Sequence, residues 1–409
     1  MSNRAARKPL PREVKSLGAV SLLNDTASEM IVPNLAAFVT SLLHSGAQAL
    51  GIIEGVAETT ASLLKYAMGR WSDRLGRRKG LALAGYGLSI VVRPLIGLAG
   101  NAFHVVALRF ADRVGKGVRT APRDALVAAA VEPGDRGRAF GLQRAMDHAG
   151  AIAGSLLAMA LLGWAGLSLR TVFLHSAVPG ACAFHVLALG VREARRTQPS
   201  AAAQPAPETA VPQPARKSSL LADRRFAGYL LAVVLFTLGN SADTFLVLRA
   251  LELGIPMALG PLLWVVLHIS RSAWAVPGGV LADRYGRMKL ILAGWLVYAL
   301  AYTGFAVADA AWTMWPLFVL YGLHAGLTEG AERALVADFV APEIHGRAFG
   351  AFHLAVGIGA LPASLLTGFL WQAAGPGVAL GVGAGFAGLA ALLLVAWPGV
   401  LRGSAGKRP

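Results

Sequence analysis

Two pairs of carboxylates stand four residues apart inside apolar stretches: Asp25 and Glu29 in 15–42, and Glu54 and Glu58 in 48–69. A four-residue step puts both members of a pair on one face of a helix. A carboxylate withdrawn from water holds its proton more tightly, so such groups can take up and return a proton near neutral pH. Glu29 and Glu58 are the first candidates for that chemistry, with Asp25, Glu54, Asp147 and Asp243 behind them. A basic stripe follows in 102–122, where Arg109, Asp112, Lys116, Arg119 and Arg123 step by three or four and Arg113 borders them. Further ionisable groups lie at Arg144, Asp147 and His148, at Asn240 and Asp243, at His268 and Arg271, and at His324, Glu329, Glu332 and Arg333. A charge at the centre of a bilayer costs about 2.5–3.5 kcal/mol on insertion scales. Groups in this number must therefore face a wet cavity or one another. Arg93, beside Pro94, is expected to pair with a neighbouring acid, and His268, His324 and His353 to be packing residues. Arg119, Arg123, Glu332 and Arg333 fall near the expected ends of their segments, where snorkelling or gate pairing is expected.

The chemistry is that of ion pairing and proton carriage rather than catalysis. No H-E-x-x-H, G-x-S-x-G or His/Cys cluster occurs, and no G-x-x-x-x-G-K-[ST], so no catalytic residues, cofactor, metal centre or ATP hydrolysis is expected. The single cysteine, Cys182, excludes an internal disulfide framework.

The elements that position these groups are apolar. Hydrophobic residues make up 55% of the chain and charged residues 15%, against about 25% charged in soluble domains. Mean hydropathy is +0.56. Apolar segments recur at 15–42, 48–69, 80–99, 102–122, 138–162, 170–190, 226–250, 258–280, 290–308, 312–337, 346–372 and 377–400, each long enough for a span of roughly 20 residues. An all-α membrane protein of twelve spans is expected. The net charge of +16 sits in alternate loops (Arg70 to Lys79, Arg136 and Arg138, Arg192 to Lys217, Arg284 to Lys289, Arg347), while the intervening loops contain neither Lys nor Arg. That one-sidedness argues against nucleic acid as partner and places the basic loops and both termini in the cytoplasm, with the protein in the plasma (inner) membrane. Residues 191–222, rich in Pro, Ala and Gln, read as a disordered cytoplasmic linker between an N-terminal bundle (1–190) and a C-terminal bundle (223–409), six spans each.

The two bundles repeat each other. "GRWSDRLGRRKG" at 69–80 is echoed by "GGVLADRYGRMK" at 278–289: Gly69 and Gly279, and Asp73 and Asp283, share one offset of 210. "GRAFG" recurs at 137–141 and 346–350, offset 209. Parallel repeats of six spans are a transporter architecture with the binding site between the halves.

Across essentially its whole length the chain resembles the major facilitator superfamily. Gly69, Asp73, Arg74, Gly76, Arg77 and Arg78 match the family's signature in the loop between spans 2 and 3, and Gly279, Asp283, Arg284, Gly286 and Arg287 match its second copy, with Met288 replacing the final base. The fourth-span motif leaves open whether Arg109 or Arg113 precedes Gly115 and Gly117, and the fifth-span antiporter motif keeps Gly150 and Gly154 but has Ser155 in place of Pro. The resemblance implies that spans 1, 4, 7 and 10 line a cavity. It implies that Asp73 latches the start of span 11 near Gly346-Arg347-Ala348, and by pseudo-symmetry that Asp283 meets Gly137-Arg138-Ala139. Arg123 and Arg333 are expected to join this gate. Asp25, Glu29, Glu54, Glu58, Arg109, Asp112, Arg113, Asp147, Asp243 and His324 are expected to serve translocation and proton coupling. The expected activity is secondary active transport of a small molecule by alternating access, proton-coupled and in the efflux direction. Proton-symport uptake of an organic anion or metabolite is the alternative, and a non-transporting membrane sensor a third reading. The expected partners are a small-molecule substrate, a proton and membrane lipid, and the chain is expected to act as a monomer.

Overall fold

The computed structural model describes residues 9–35, 38, 47–191, 223–241, 243–256 and 259–397, without the side chains of 47–60, 244, 260, 261 and 361. The described residues are all-α. The N-terminal set comprises α1 (Arg12–Glu29), α2 (Ala47–Leu75), α3 (Arg78–Leu95), α4 (Ala102–Ala129), α5 (Arg136–Gly163), α6 (Leu169–His175) and α7 (Ala177–Gly190). The C-terminal set comprises α8 (Arg224–Gly239), α9 (Thr244–Glu252), α10 (Gly260–Tyr285), α11 (Arg287–Val307), α12 (Met314–Phe339), α13 (His345–Ala374) and α14 (Pro376–Ala396). Apart from Val191, the expected linker lies outside the described residues.

Among the described residues, seven segments are long and apolar enough to cross a membrane: 78–98, 133–163, 169–190, 262–285, 287–307, 342–374 and 376–396. Helix α4 falls outside that set although it is long, because it carries seven ionised side chains, Arg109, Asp112, Arg113, Lys116, Arg119, Arg123 and Asp124. The protein is thus a multi-span membrane protein.

Three segments differ from the expected spans. The run 170–190 divides into α6 and α7 at Ser176. Pro179 has no N–H to offer the carbonyl of His175, which is what interrupts the ladder there. The run 226–250 divides after Gly239 into α8 and α9, through Asn240, whose φ of −95° and ψ of 81° are not helical. Conversely α4 runs through Pro122 to Ala129. Arg119 and Arg123 therefore lie within a helix rather than near its end, and they pair inward rather than snorkel.

Packing is pseudo-symmetric. Within the N-terminal set α1 packs on α5 and α7, and α4 on α2 and α3; within the C-terminal set α8 packs on α13 and α14, α12 on α10 and α11, and α11 on α14. The sets meet along two equivalent seams, α2 with α13 and α5 with α10, and α12 also reaches α5. Glycine makes both seams close. A Cβ on Gly69 would stand 2.1 Å from Gly346 O, and a Cβ on Gly279 would stand 2.1 Å from Gly137 O. The turn after each seam helix needs a residue at positive φ, and Gly76 (64°) and Gly286 (98°) supply it.

Candidate translocation path and gate

Each motif aspartate sits at the end of one seam helix and meets the beginning of another. The Asp73 carboxylate accepts hydrogen bonds from the backbone N–H of Gly346 (2.9 Å) and of Arg347 (2.7 Å) at the start of α13. The Asp283 carboxylate accepts them from Gly137 (2.9 Å) and Arg138 (2.8 Å) at the start of α5. The first N–H groups of a helix have no partner within it and carry its positive end, so a carboxylate is the natural acceptor. Arg78 braces the first contact: it lies 3.4 Å from Asp73 and donates to Pro342 O at 2.6 Å. Arg287 does the same for the second, near Asp283 (3.4 Å) and donating to Pro133 O. The base lost at Met288 is thus made good by Arg287, one position earlier. Arg74 and Arg77 are exposed, and Arg284 lies over the Tyr285 ring, outside both contacts.

An asparagine at position 73 would keep one acceptor but turn an N–H toward an N–H. Asp73→Asn is expected to loosen the α2–α13 seam without preventing insertion. In a Cys182→Ser background, the labelling rate of Ser62→Cys, which lies against Gly357 across that seam, by an aqueous thiol reagent should rise about tenfold, the equivalent of about 1.4 kcal/mol.

Deeper in, the ionised side chains pair almost completely. Arg93 donates to Asp112 (2.8 Å) and to both the backbone and side-chain oxygens of Asn24 (3.1 and 3.0 Å), joining α3, α4 and α1. Arg109 lies 3.7 Å from Asp112, and Arg113 is half-buried one turn further along α4. Arg123 contacts Asp124 (3.2 Å) and Asp147 (3.9 Å), and Arg144 bridges Asp147 (2.6 Å) to Glu329 (3.0 Å). Asp124, fully buried, is also held by His353 (2.8 Å) and approached by Arg333 (3.9 Å). Asp243 takes Arg271 at 2.8 Å and the Tyr321 hydroxyl at 2.6 Å. His324 meets the carbonyl of Gly294 at 2.9 Å.

Asp25, Glu29 and Glu332 have no ion pair among the described residues, and of these Glu29, half-buried beside Gly154, has no hydrogen bond either. Asp25 accepts from the Asn24 amide at 2.7 Å. The side chains of Glu54 and Glu58 lie outside the described residues. The structure therefore brings Arg109 and Asp112 together, ties Asp147 and Asp243 into pairs, and leaves Asp25 and Glu29 on the α1 face toward α5.

A cavity of about 120 Å³ opens between α8, α10, α12 and α13, lined by Asn240, Arg271, Tyr321, His324, Glu329 and Glu332 among others. The non-helical Asn240, at the break between α8 and α9, is what turns polar atoms into it. Glu332 accepts from Trp295 Nε1 (3.3 Å) rather than snorkelling. Several residues of this network escape sequence reasoning. His353, which by sequence reads as a packing residue, is instead a partner of Asp124, 229 positions away; the only local signal for Asp124 is its place directly after Arg123. His148 and His268, 3.2 Å apart across the α5–α10 seam, carried no pairing signal at all.

The sequence profile of the Major Facilitator Superfamily matches residues 17–275 and 269–407. The chain is 32% identical over 375 residues to an uncharacterized MFS-type transporter of Methanocaldococcus jannaschii, covering 89% of this chain and 90% of that one. Its fold is similar to the crystal structure of the human organic anion transporter MFSD10 (TM-score 0.77, 16% identity, 95% of this chain and 100% of that one). It is similar also to the E. coli fucose:proton symporter FucP (TM-score 0.70, 14% identity, 93% and 97%). A membrane-spanning chain with two pseudo-symmetric seams, a charge-paired interior and this profile match over most of its length belongs to the major facilitator superfamily, and is a secondary-active small-molecule transporter of that family rather than an enzyme.

Proposed function

We propose that the protein is a proton-coupled symporter that carries a small polar metabolite or organic anion inward by alternating access. In this reading twelve spans form two six-helix bundles, 1–190 and 223–409, joined by a cytoplasmic linker, with both termini in the cytoplasm. The observation that carries it is the cavity. Its volume of about 120 Å³ is well under the roughly 300–1,000 Å³ of drug-sized sites. Its wall combines a cation (Arg271), carboxylates (Glu329 and Glu332) and neutral donors, a lining suited to a hydrogen-bonding solute. Two solved structures of this fold are named an organic anion transporter and a fucose:proton symporter, the same range of solutes.

Asp73 and Asp283 act as latches on the basic face, braced by Arg78 and Arg287. Glu29 is the coupling carboxylate, because it lies half-buried with neither an ion pair nor a hydrogen bond among the described residues. Export by proton antiport is the second reading. It is favoured by the α1–α5 seam, where a Cβ on Gly150 or Gly154 would stand 2.3 Å from Leu22 O or 2.4 Å from Thr26 O, a packing that keeps the remnant antiporter glycines in use.

The test is a thermal-shift screen of sugars, carboxylates and cationic drugs on purified protein at two pH values, followed by flux of the stabilising solute in proteoliposomes under inward and outward proton gradients. Accumulation driven by an inward gradient supports symport; accumulation only under the reverse gradient selects export. Glu29→Gln is expected to bind the solute but to lose its gradient-driven accumulation, keeping only downhill flux. Accumulation at the wild-type level in that variant would clear Glu29 of the role.

A further inference from the structure

The cavity between α8, α10, α12 and α13 is lined by groups whose hydrogen-bonding roles are already assigned by their neighbours. A hydroxyl has one proton to donate, and each of those in the wall is committed. Thr237 Oγ1 donates to Val233 O (2.7 Å), Thr328 Oγ1 to His324 O (3.1 Å) and the Tyr321 hydroxyl to Asp243 (2.6 Å). What those oxygens keep is lone pairs. His324 meets the carbonyl of Gly294 through Nδ1 (2.9 Å), which calls for an N–H there and leaves Nε2 of the neutral ring as an acceptor. The Arg271 guanidinium is taken by Asp243 at 2.8 Å, and its Nε is buried without a hydrogen-bond partner among the described residues. Of the neutral donors in the wall, the Asn240 amide is what remains.

The charges point the same way. Arg123, Arg144 and Arg333 stand against Asp124, Asp147 and Glu329, three cations against three acids, and Arg271 stands against Asp243. Glu332 is the carboxylate of the wall left over. Its Oε1 accepts from Trp295 Nε1 at 3.3 Å, and it has no ion pair among the described residues. A carboxylate partly withdrawn from water without a counter-cation is unfavourable until a cation arrives. Beside it the Phe236 ring, stacked on Trp295 with centroids 4.7 Å apart, adds an aromatic surface that favours a cation. Val233, Ala325 and Val356 complete an apolar side.

We propose that the cavity takes the protonated primary amine of a small solute, with Glu332 as its counter-ion and the Thr237, Tyr321 and Thr328 oxygens as acceptors. The proposal rests on the reading of this cavity as the solute site and narrows that solute to an amine. An ammonium carries three N–H donors and no acceptor, the complement of this wall. A carboxylate brings acceptors alone and would meet hydroxyls with no proton to give and the like charge of Glu332. An uncharged alcohol or sugar would donate to the same oxygens but leave Glu332 without its cation. The apolar side suits a compact hydrocarbon body behind the ammonium.

The test measures affinity by isothermal titration of the full-length protein in nanodiscs at pH about 7.5, where a primary amine is protonated. The probes are matched sets: propylamine, propanol and propionate, and benzylamine, benzyl alcohol and benzoate. Each amine is expected to bind on the order of 10-fold tighter than its alcohol, with each acid weakest. Glu332→Gln keeps an oxygen for Trp295 but loses the charge. It should lose on the order of 10–100-fold in amine affinity, and the preference over the alcohols with it. Thr328→Val, of nearly the same shape, should lose about 3–10-fold for the amines and serves if Glu332→Gln does not fold. Amine affinities at the wild-type level in both variants, no amine binding to the wild type, or tightest binding by the acids overturns the amine site; the last leaves symport of an anion standing. Amine binding without amine accumulation under an inward proton gradient in proteoliposomes overturns symport and leaves the amine site standing.

Discussion

Asp112→Asn is expected to destabilise the protein by about 3–5 kcal/mol, the usual result of removing one partner from a buried ion pair. Asp112 is 1% exposed and Arg93 5%, so neither group reaches bulk water. Arg93 keeps its bonds to Asn24, but these neutral oxygens do not replace a carboxylate's charge. The loss should be read by reversible unfolding in mixed micelles with increasing SDS. The double variant Arg93→Met/Asp112→Asn removes the stranded cation along with the acid and is expected to recover most of the stability, giving a large coupling energy in the double-mutant cycle. A double variant no more stable than the single would show that Arg109, 3.7 Å away, is the charge that Asp112 neutralises.

The parts of this molecule that can be read in its sequence are those written in local or repeating form. Hydropathy locates the helices, and the equal spacing of Asp73 and Asp283 marks them as equivalent positions. Their acceptor geometry then follows from helix-end chemistry, once the resemblance supplies the opposing helices. Arg93 could be expected to find an acid, because a buried guanidinium must, but nothing local says that the acid is Asp112 or that Asn24 joins it. The break at Gly239–Asn240 hides in an apolar run because hydropathy records the oiliness of a segment and not its ladder. Hydropathy also ends the 102–122 segment too early, because the charges beyond it are buried and paired; at Pro122 one N–H is missing from the ladder, and α4 continues to Ala129. Asp124 with His353, and His148 with His268, depend on how the two sets of helices are apposed. Such contacts are set by helix rotation to within a fraction of a turn, which periodicity alone does not determine.

Gly279→Val is expected to abolish transport while leaving each set folded. The added side chain would begin 2.1 Å from the backbone oxygen of Gly137 and 3.1 Å from Cα of Arg138. Backbone on both sides of the seam cannot rotate out of the way as a long side chain can, so the α5–α10 seam must part. With it go the two hydrogen bonds to Asp283 and the His148–His268 contact, all of which span the same pair of helices. Packing inside each set does not pass through this point: α10 still rests on α12, and α5 on α1. Hydrogen–deuterium exchange should therefore rise about tenfold at residues 136–145 and 275–285, corresponding to about 1.4 kcal/mol of lost protection, with α3 and α4 unchanged. Gly69→Val makes the equivalent clash with Gly346 O and is expected to expose α2 and α13 instead. Gly385→Ala, whose Cβ would meet nothing within 4 Å, is the control and should behave as wild type. If Gly279→Val kept both full protection and full flux, the seam would be open throughout the working cycle, and alternating access by rocking at these two glycine contacts would have to be abandoned.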